Sequence, residues 1–134
     1  MYGPCQRTAP ARSLLSQLLD WAQTIMARLP RRCTVVGFAD MNARVGSIPA
    51  CDCQAAPVIG TCRAQRENEH GRVLREWCSQ ASMQLVNTLD PSSAGPTWSG
   101  GARAQSRPDY LMKQSHSAGD ILRTWVAYTL AMEI

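Results

Sequence analysis

The chain has 134 residues, 45% of them hydrophobic and 18% charged, with a formal net charge of +4. That size suits one domain or part of one, and the ordinary apolar content excludes wholesale disorder. No apolar run approaches the roughly 18 residues of a membrane span. The amino-terminal Met1-Tyr2-Gly3-Pro4-Cys5 also lacks the basic start and apolar stretch of a signal peptide, so the expected setting is intracellular.

Taken in chain order, residues 11–29 read as an amphipathic helix. Leu14, Leu18, Ala22, Ile25 and Leu29 form its stripe, widened by Leu15, Leu19 and Met26, with Ser13 as the expected cap and Pro30 as the stop. Cys33 to Phe38 is short, β-branched and apolar, which predicts a buried strand, parallel to its neighbours because a helix precedes it. Ala39 to Gly46 leaves that strand as a loop. Residues 47–66 hold two Pro, one Gly and three Cys without periodicity and also read as loop. A second helix is predicted over residues 69–82, with Val73, Leu74, Trp77, Cys78 and Ala81 on one face and Asn68 as N-cap.

Gln84 to Thr88 then reads as a strand, and Pro91 to Pro96 as a turn-rich connection. Thr97-Trp98-Ser99 and Asp109 to Lys113 read as two strands joined through Gly100-Gly101. Residues 114–134 are left unassigned; the apolar stretch Asp120 to Ile134 suits helix and strand equally. The alternation implies an α/β arrangement with one sheet of about four strands, covered by helices mainly on one face.

Thirteen of the fourteen basic residues are arginine. Arginine suits bidentate phosphate contacts, which fits a nucleic-acid partner, but coding bias yields the same count. The densest stretch, Arg63 to Arg75, mixes both signs, so charge alone names no partner. Cys51, Cys53 and Cys62, with His70 and Cys78 beyond, contain C-x-C but no second matching pair. Reduced free thiols are therefore the reading, ahead of structural zinc.

The most informative point is Asp40-Met41-Asn42 at the end of the first strand. A carboxylate and a carboxamide two residues apart can aim at one ligand. There the Asp binds a metal or orients a water, and the Asn donates to a developing negative charge. By itself the triplet equally describes a turn in which both side chains bond their own backbone.

Three further stretches accompany it. Gly37 to Gly46 reads G-F-A-D-M-N-A-R-V-G. Asn68 to Thr88 reads N-E-H-G-R-V-L-R-E-W-C-S-Q-A-S-M-Q-L-V-N-T. Thr97-Trp98 is followed by Arg107-Pro108-Asp109-Tyr110-Leu111. The series resembles the endonuclease/exonuclease/phosphatase superfamily, the DNase I-like fold. Its nearest flavour is the endonuclease domain of non-LTR retrotransposons and of craniofacial development protein 2-like proteins. That family shows G-D-F-N-A-x-x-G, then N-x-N-G with a leucine-rich helix ending in N-T, then T-W and R-I-D-Y-I. The resemblance is strongest over residues 33–113. Tyr2-Gly3-Pro4 also fits the family's Y-x-P; without the family, Tyr2 reads as a frayed terminal residue.

The resemblance implies a Mg²⁺-dependent phosphodiesterase acting on nucleic acid. In it, Asp40 positions or deprotonates the attacking water, and Asn42 binds the phosphate or the metal. Asp109 would orient a catalytic histidine, and Tyr2 would contact the scissile phosphate. Arg44, Asn68, His70 and Trp98 become substrate-side candidates, against plainer readings of Arg44 and His70 as solvated, Asn68 as a cap and Trp98 as core. Mg²⁺ would fall to Asp40 and Asn42. No membrane and no defined protein partner is implied.

Several departures accompany the match. Ala39 stands where the family has glycine, and Pro108 interrupts R-I-D-Y, which suggests an edge or disturbed strand. The family's amino-terminal half, with its metal-binding glutamate, and its closing S-D-H motif have no counterpart here; His116, in Gln114-Ser115-His116-Ser117, is a poor substitute. The expectation is a truncated domain over residues 1–134, a partial DNase I-like α/β sandwich with its second sheet largely missing. Such a fragment would have weak activity or none. The alternatives are a non-catalytic nucleic-acid-binding remnant and a mispredicted partial gene product. A missing sheet further predicts an exposed apolar patch on alternate residues of the 33–38, 84–88 and 109–113 strands.

Overall fold

In a computed structural model, the described residues are 9–46, 58–62, 64–89, 95–100 and 104–115. Tyr2, Cys51, Cys53, His116 and the apolar tail lie outside them. The elements in order are α1 (Ala9–Arg28), β1 (Val36–Asp40), α2 (Glu69–Gln80) and β2 (Met83–Leu85). A single 3-10 turn (Val86–Thr88), β3 (Trp98–Gly100), β4 (Ala104–Ser106) and β5 (Asp109–Gln114) complete the order. The class is mixed α/β, as expected. No helix among the described residues is long and apolar enough to cross a membrane.

Helix α1 starts earlier than the sequence suggests, so Ser13 lies inside it and does not cap it. Pro10 is tolerated because the first-turn N–H groups have no helical partner in any case. Arg28 closes the helix, where a cation complements the carbonyl end of the helix dipole, and Pro30 follows. Helix α2 is capped as its sequence predicts: the Asn68 Oδ1 accepts from the Gly71 N–H at 2.8 Å. It ends where Ser82 adopts a left-handed conformation, φ 52°, and turns the chain into β2.

The main sheet has three strands in the order β1-β5-β2, and both pairings are antiparallel. This corrects the expected parallel β1. A preceding helix favours parallel pairing only when that helix crosses over from another strand of the same sheet, and none of the described strands precedes α1. The expected hairpin between the Thr97 and Asp109 strands is also absent. Instead β3 pairs with β4 in a separate two-stranded ribbon. β5 starts at Asp109, just past Pro108, so the proline costs no ladder bond and β5 is the central strand rather than an edge. The Gln84–Thr88 strand shortens to β2 and continues as the 3-10 turn.

The core lies on one face of the sheet. Ala39, Tyr110, Met112, Met83 and Leu85 meet Leu15 and Leu19 of α1 and Leu74, Trp77 and Cys78 of α2. Both helices thus cover a single face. On the opposite face Phe38 is 70% exposed and Val36 is also exposed, while Leu111 beside them is half-buried. β1 is therefore buried on one side only. The predicted apolar patch is confined to β1 and β5, because every residue from Met83 to Thr88 is buried.

Candidate active site

The antiparallel register places Asp40, the last residue of β1, directly opposite Asp109, the first of β5. Facing Cβ atoms in such a pair lie about 5 Å apart, and two like charges so placed repel unless a cation or donor sits between them. The two carboxylates that the sequence singled out are therefore brought together, at one end of the sheet.

Asp40 also makes the turn anticipated for its triplet. Its Oδ1 accepts the N–H of Asn42 at 3.0 Å. Asn42 sits at φ 46°, a left-handed conformation that asparagine tolerates better than most residues. The turn reading of Asp-x-Asn thus describes the backbone here. One oxygen of Asp40 shapes the turn, and its carboxylate stays on the face it shares with Asp109.

The loop from Met41 to Val45 is held from every side. The Met41 N–H donates to the Pro108 carbonyl at 2.9 Å, extending the β1–β5 ladder past the strand. The Tyr110 hydroxyl donates to the Ala43 carbonyl and accepts from the Val45 N–H, both at 3.2 Å. Burial pushes this phenol up, which keeps it a donor. Asn68 clasps Arg44 twice: its Oδ1 accepts the Arg44 N–H at 3.0 Å, and its own N–H donates to the Arg44 carbonyl at 3.1 Å. Gly71 lets α2 lie directly on this loop, since a Cβ there would stand 1.9 Å from the Arg44 carbonyl oxygen.

His70 completes the support. It is 2% exposed, so it is not the solvated side chain the sequence suggested. Burial lowers its pKa below the ordinary 6.5, and the nearby backbone of Asn42 and Met41 opposes the shift. Its Nδ1 is buried without a partner. The signal for burial was available: His70, Leu74, Trp77 and Cys78 fall at helical spacing on one face of α2.

Other candidates sit apart. The Arg44 backbone belongs to the clasp while the residue itself is exposed. The Asn68 side-chain oxygen is occupied by cap and clasp, a positional role. Trp98 is half-exposed on β3, packed over Gly100, and not in the core. It lies in the β3–β4 ribbon, away from the Asp40–Asp109 sheet.

Two residues that sequence reasoning passed over bind the region together. Asn87 donates through Nδ2 to the Asp109 carbonyl at 3.0 Å and accepts the Leu111 N–H at 3.3 Å, gripping the start of β5. Arg107 is 3% exposed and donates to the carbonyls of Asn87, at 2.9 Å, and Cys62, at 3.2 Å. Two arginines of the densest charged stretch are held in ion pairs: Arg72 with Glu69 and Glu76, and Arg75 with Glu67.

The donor set at the sheet end is hard oxygen: two carboxylates and a carboxamide. That chemistry suits Mg²⁺, which keeps several of its waters and needs few protein ligands. Among the described residues no group of three or more His, Cys, Asp or Glu converges to hold a metal. No family model matches the chain, and no curated protein or solved structure matches it.

Proposed function

We propose that the chain is part of a Mg²⁺-dependent phosphodiesterase of the DNase I-like type that acts on nucleic acid, with slow hydrolysis or none. The observation that carries this reading is the pairing of Asp40 with Asp109 beside a loop clamped on all sides. In this reading Asp40 orients and deprotonates the attacking water. Asn42, on its left-handed turn, donates its carboxamide to the phosphate oxygens as charge builds on them. A Mg²⁺ ion at Asp40 and Asn42 would supply charge neutralisation and a more acidic bound water. The clamp keeps these groups in place, and positioning supplies much of the rate in such reactions. Asp109 would orient a histidine, but His70, the histidine among the described residues, is buried on the core face of α2 instead. With no described histidine at Asp109, the leaving group would depart unassisted, and slow hydrolysis is the expected consequence.

The test is nicking of supercoiled plasmid DNA with Mg²⁺. Slow nicking at most is expected, abolished by chelator and by Asp40→Ala. Fast nicking that Asp40→Ala abolishes would overturn the low-activity part of the reading. Nicking that survives Asp40→Ala would overturn the site.

The second reading, nucleic-acid binding without cleavage, draws on Arg28, Arg31 and Arg32, which stand exposed at the end of α1. Salt-dependent DNA binding by a chain that never nicks would favour it.

A further inference from the structure

A cavity of about 190 Å³ opens between the β3–β4 ribbon and the segment that leads into β5, lined by Gln65, Gly95, Pro96, Gln105 and Arg107. Its chemistry differs from that of the carboxylate end. Besides Gly95 and Pro96, its lining residues are two glutamines and an arginine. The cavity is tied to the catalytic loop through Gln65, whose N–H donates to the Val45 carbonyl at 3.4 Å. It is tied to β5 through Arg107, two residues before Asp109. Gln65 also links the cavity walls: its Oε1 accepts the Arg107 N–H at 3.4 Å and its Nε2 donates to the Gln105 carbonyl at 3.5 Å.

Arg107 is the unusual member. Its charge is permanent and almost wholly buried. Its guanidinium donates to the backbone carbonyls of Asn87 and Cys62, with the Tyr110 hydroxyl beside them, and its Nε is buried without a partner. Among the described residues no carboxylate pairs with it. A buried cation balanced by carbonyl dipoles alone is costly, and the position favours an incoming anion. Guanidinium and carboxamide donors together match the oxygens of a phosphate.

We propose that this cavity is a second phosphate subsite, which takes a backbone phosphate of a nucleic-acid strand flanking the one at Asp40 and Asp109. This rests on the phosphodiesterase reading and narrows it. A site that grips two phosphates selects a polynucleotide over a small phosphate ester.

The test is an NMR titration of the isotope-labelled chain with a short oligothymidylate and, in parallel, with inorganic phosphate. Arg107→Lys risks the fold, so the working variant is Gln105→Glu, which sets a carboxylate at the exposed mouth and leaves the buried arginine alone. The expected result is movement of the Gln65, Gln105 and Arg107 signals with oligothymidylate, and weaker movement with phosphate. Gln105→Glu should weaken oligothymidylate binding about tenfold and lower the salt slope by about one phosphate's share, roughly 0.7. Asp40→Ala should leave these shifts intact, so loss of nicking and loss of subsite binding are read separately. The proposal is overturned if the cavity signals stay still with oligothymidylate, if phosphate moves them and oligothymidylate does not, or if Gln105→Glu binds like the parent chain.

Discussion

Helix α2 buries His70, Gly71, Leu74, Trp77 and Cys78 along one face. Helix α1 buries Leu15 and Leu19 but leaves Leu14, Trp21 and Ile25 exposed, with Leu29 exposed just past its end. In sequence α1 is the more apolar helix, with 11 of its 20 residues hydrophobic against four of 12 in α2. In the fold, α2 is fastened by its cap, by the close approach at Gly71 and by the clasp on Arg44, and all of its apolar face is used. α1 has two apolar stripes, and the core takes only the one through Leu15, Leu19, Ala22 and Met26. The contrast teaches that an apolar residue contributes according to what faces it. The tightly packed half of the molecule is the half that holds Asp40 and Asn42.

The sharpest way to break this comparison is Gly71→Ala. In an open helix position the change gains about 0.5–1 kcal/mol of stability. Here the added methyl meets the Arg44 backbone, and neither the helix start nor the clasped loop can give way. A loss of about 3 kcal/mol or more is expected in urea unfolding. A neutral or stabilising result would show that the loop is not clamped.

Next in size is a matched pair of truncations. Leu74→Ala, on the used face of α2, should cost about 2–5 kcal/mol. Trp21→Ser, on a side chain that is 59% exposed, should stay within about 0.5 kcal/mol. A large loss at Trp21 would mean that the outer stripe of α1 has a partner in solution.

The smallest effect concerns His70. Its pKa in the folded chain lies below the 6.5 expected when unfolded. The unfolded chain therefore binds the proton first as the pH falls. The stability from the neutral, buried imidazole is complete above about pH 6.5 and declines below it until the folded pKa is passed. The urea midpoint should fall between about pH 7.5 and about pH 5 by more in the parent than in His70→Asn. Equal slopes would place the imidazole in solvent and remove it from the support of the loop.

Much of the local structure was legible. Asn68 as cap and the α2 stripe depend on contacts within one or two turns, and such contacts are written in neighbouring residues. The turn at Asp40 and Asn42 was legible for the same reason. Side-chain burial beyond the obvious apolar positions was less so. His70 lay on the buried stripe but reads as polar, and Arg107 reads as a surface charge. Trp98 reads as core, yet it rides half-exposed on a short ribbon outside the main sheet.

By itself the sequence determined the two helices, the Asn68 cap, the stop after α1 and the apolar stretches that become β1 and β5, because each follows from periodicity or propensity along the chain. Only the tertiary structure decided that β1 runs antiparallel to β5, that Asp40 therefore faces Asp109, which apolar stripe of α1 is buried and where Arg107 keeps its charge. Those depend on pairing and burial between segments far apart in the chain. There one register or rotation prevails by packing and hydrogen bonding that no single segment contains.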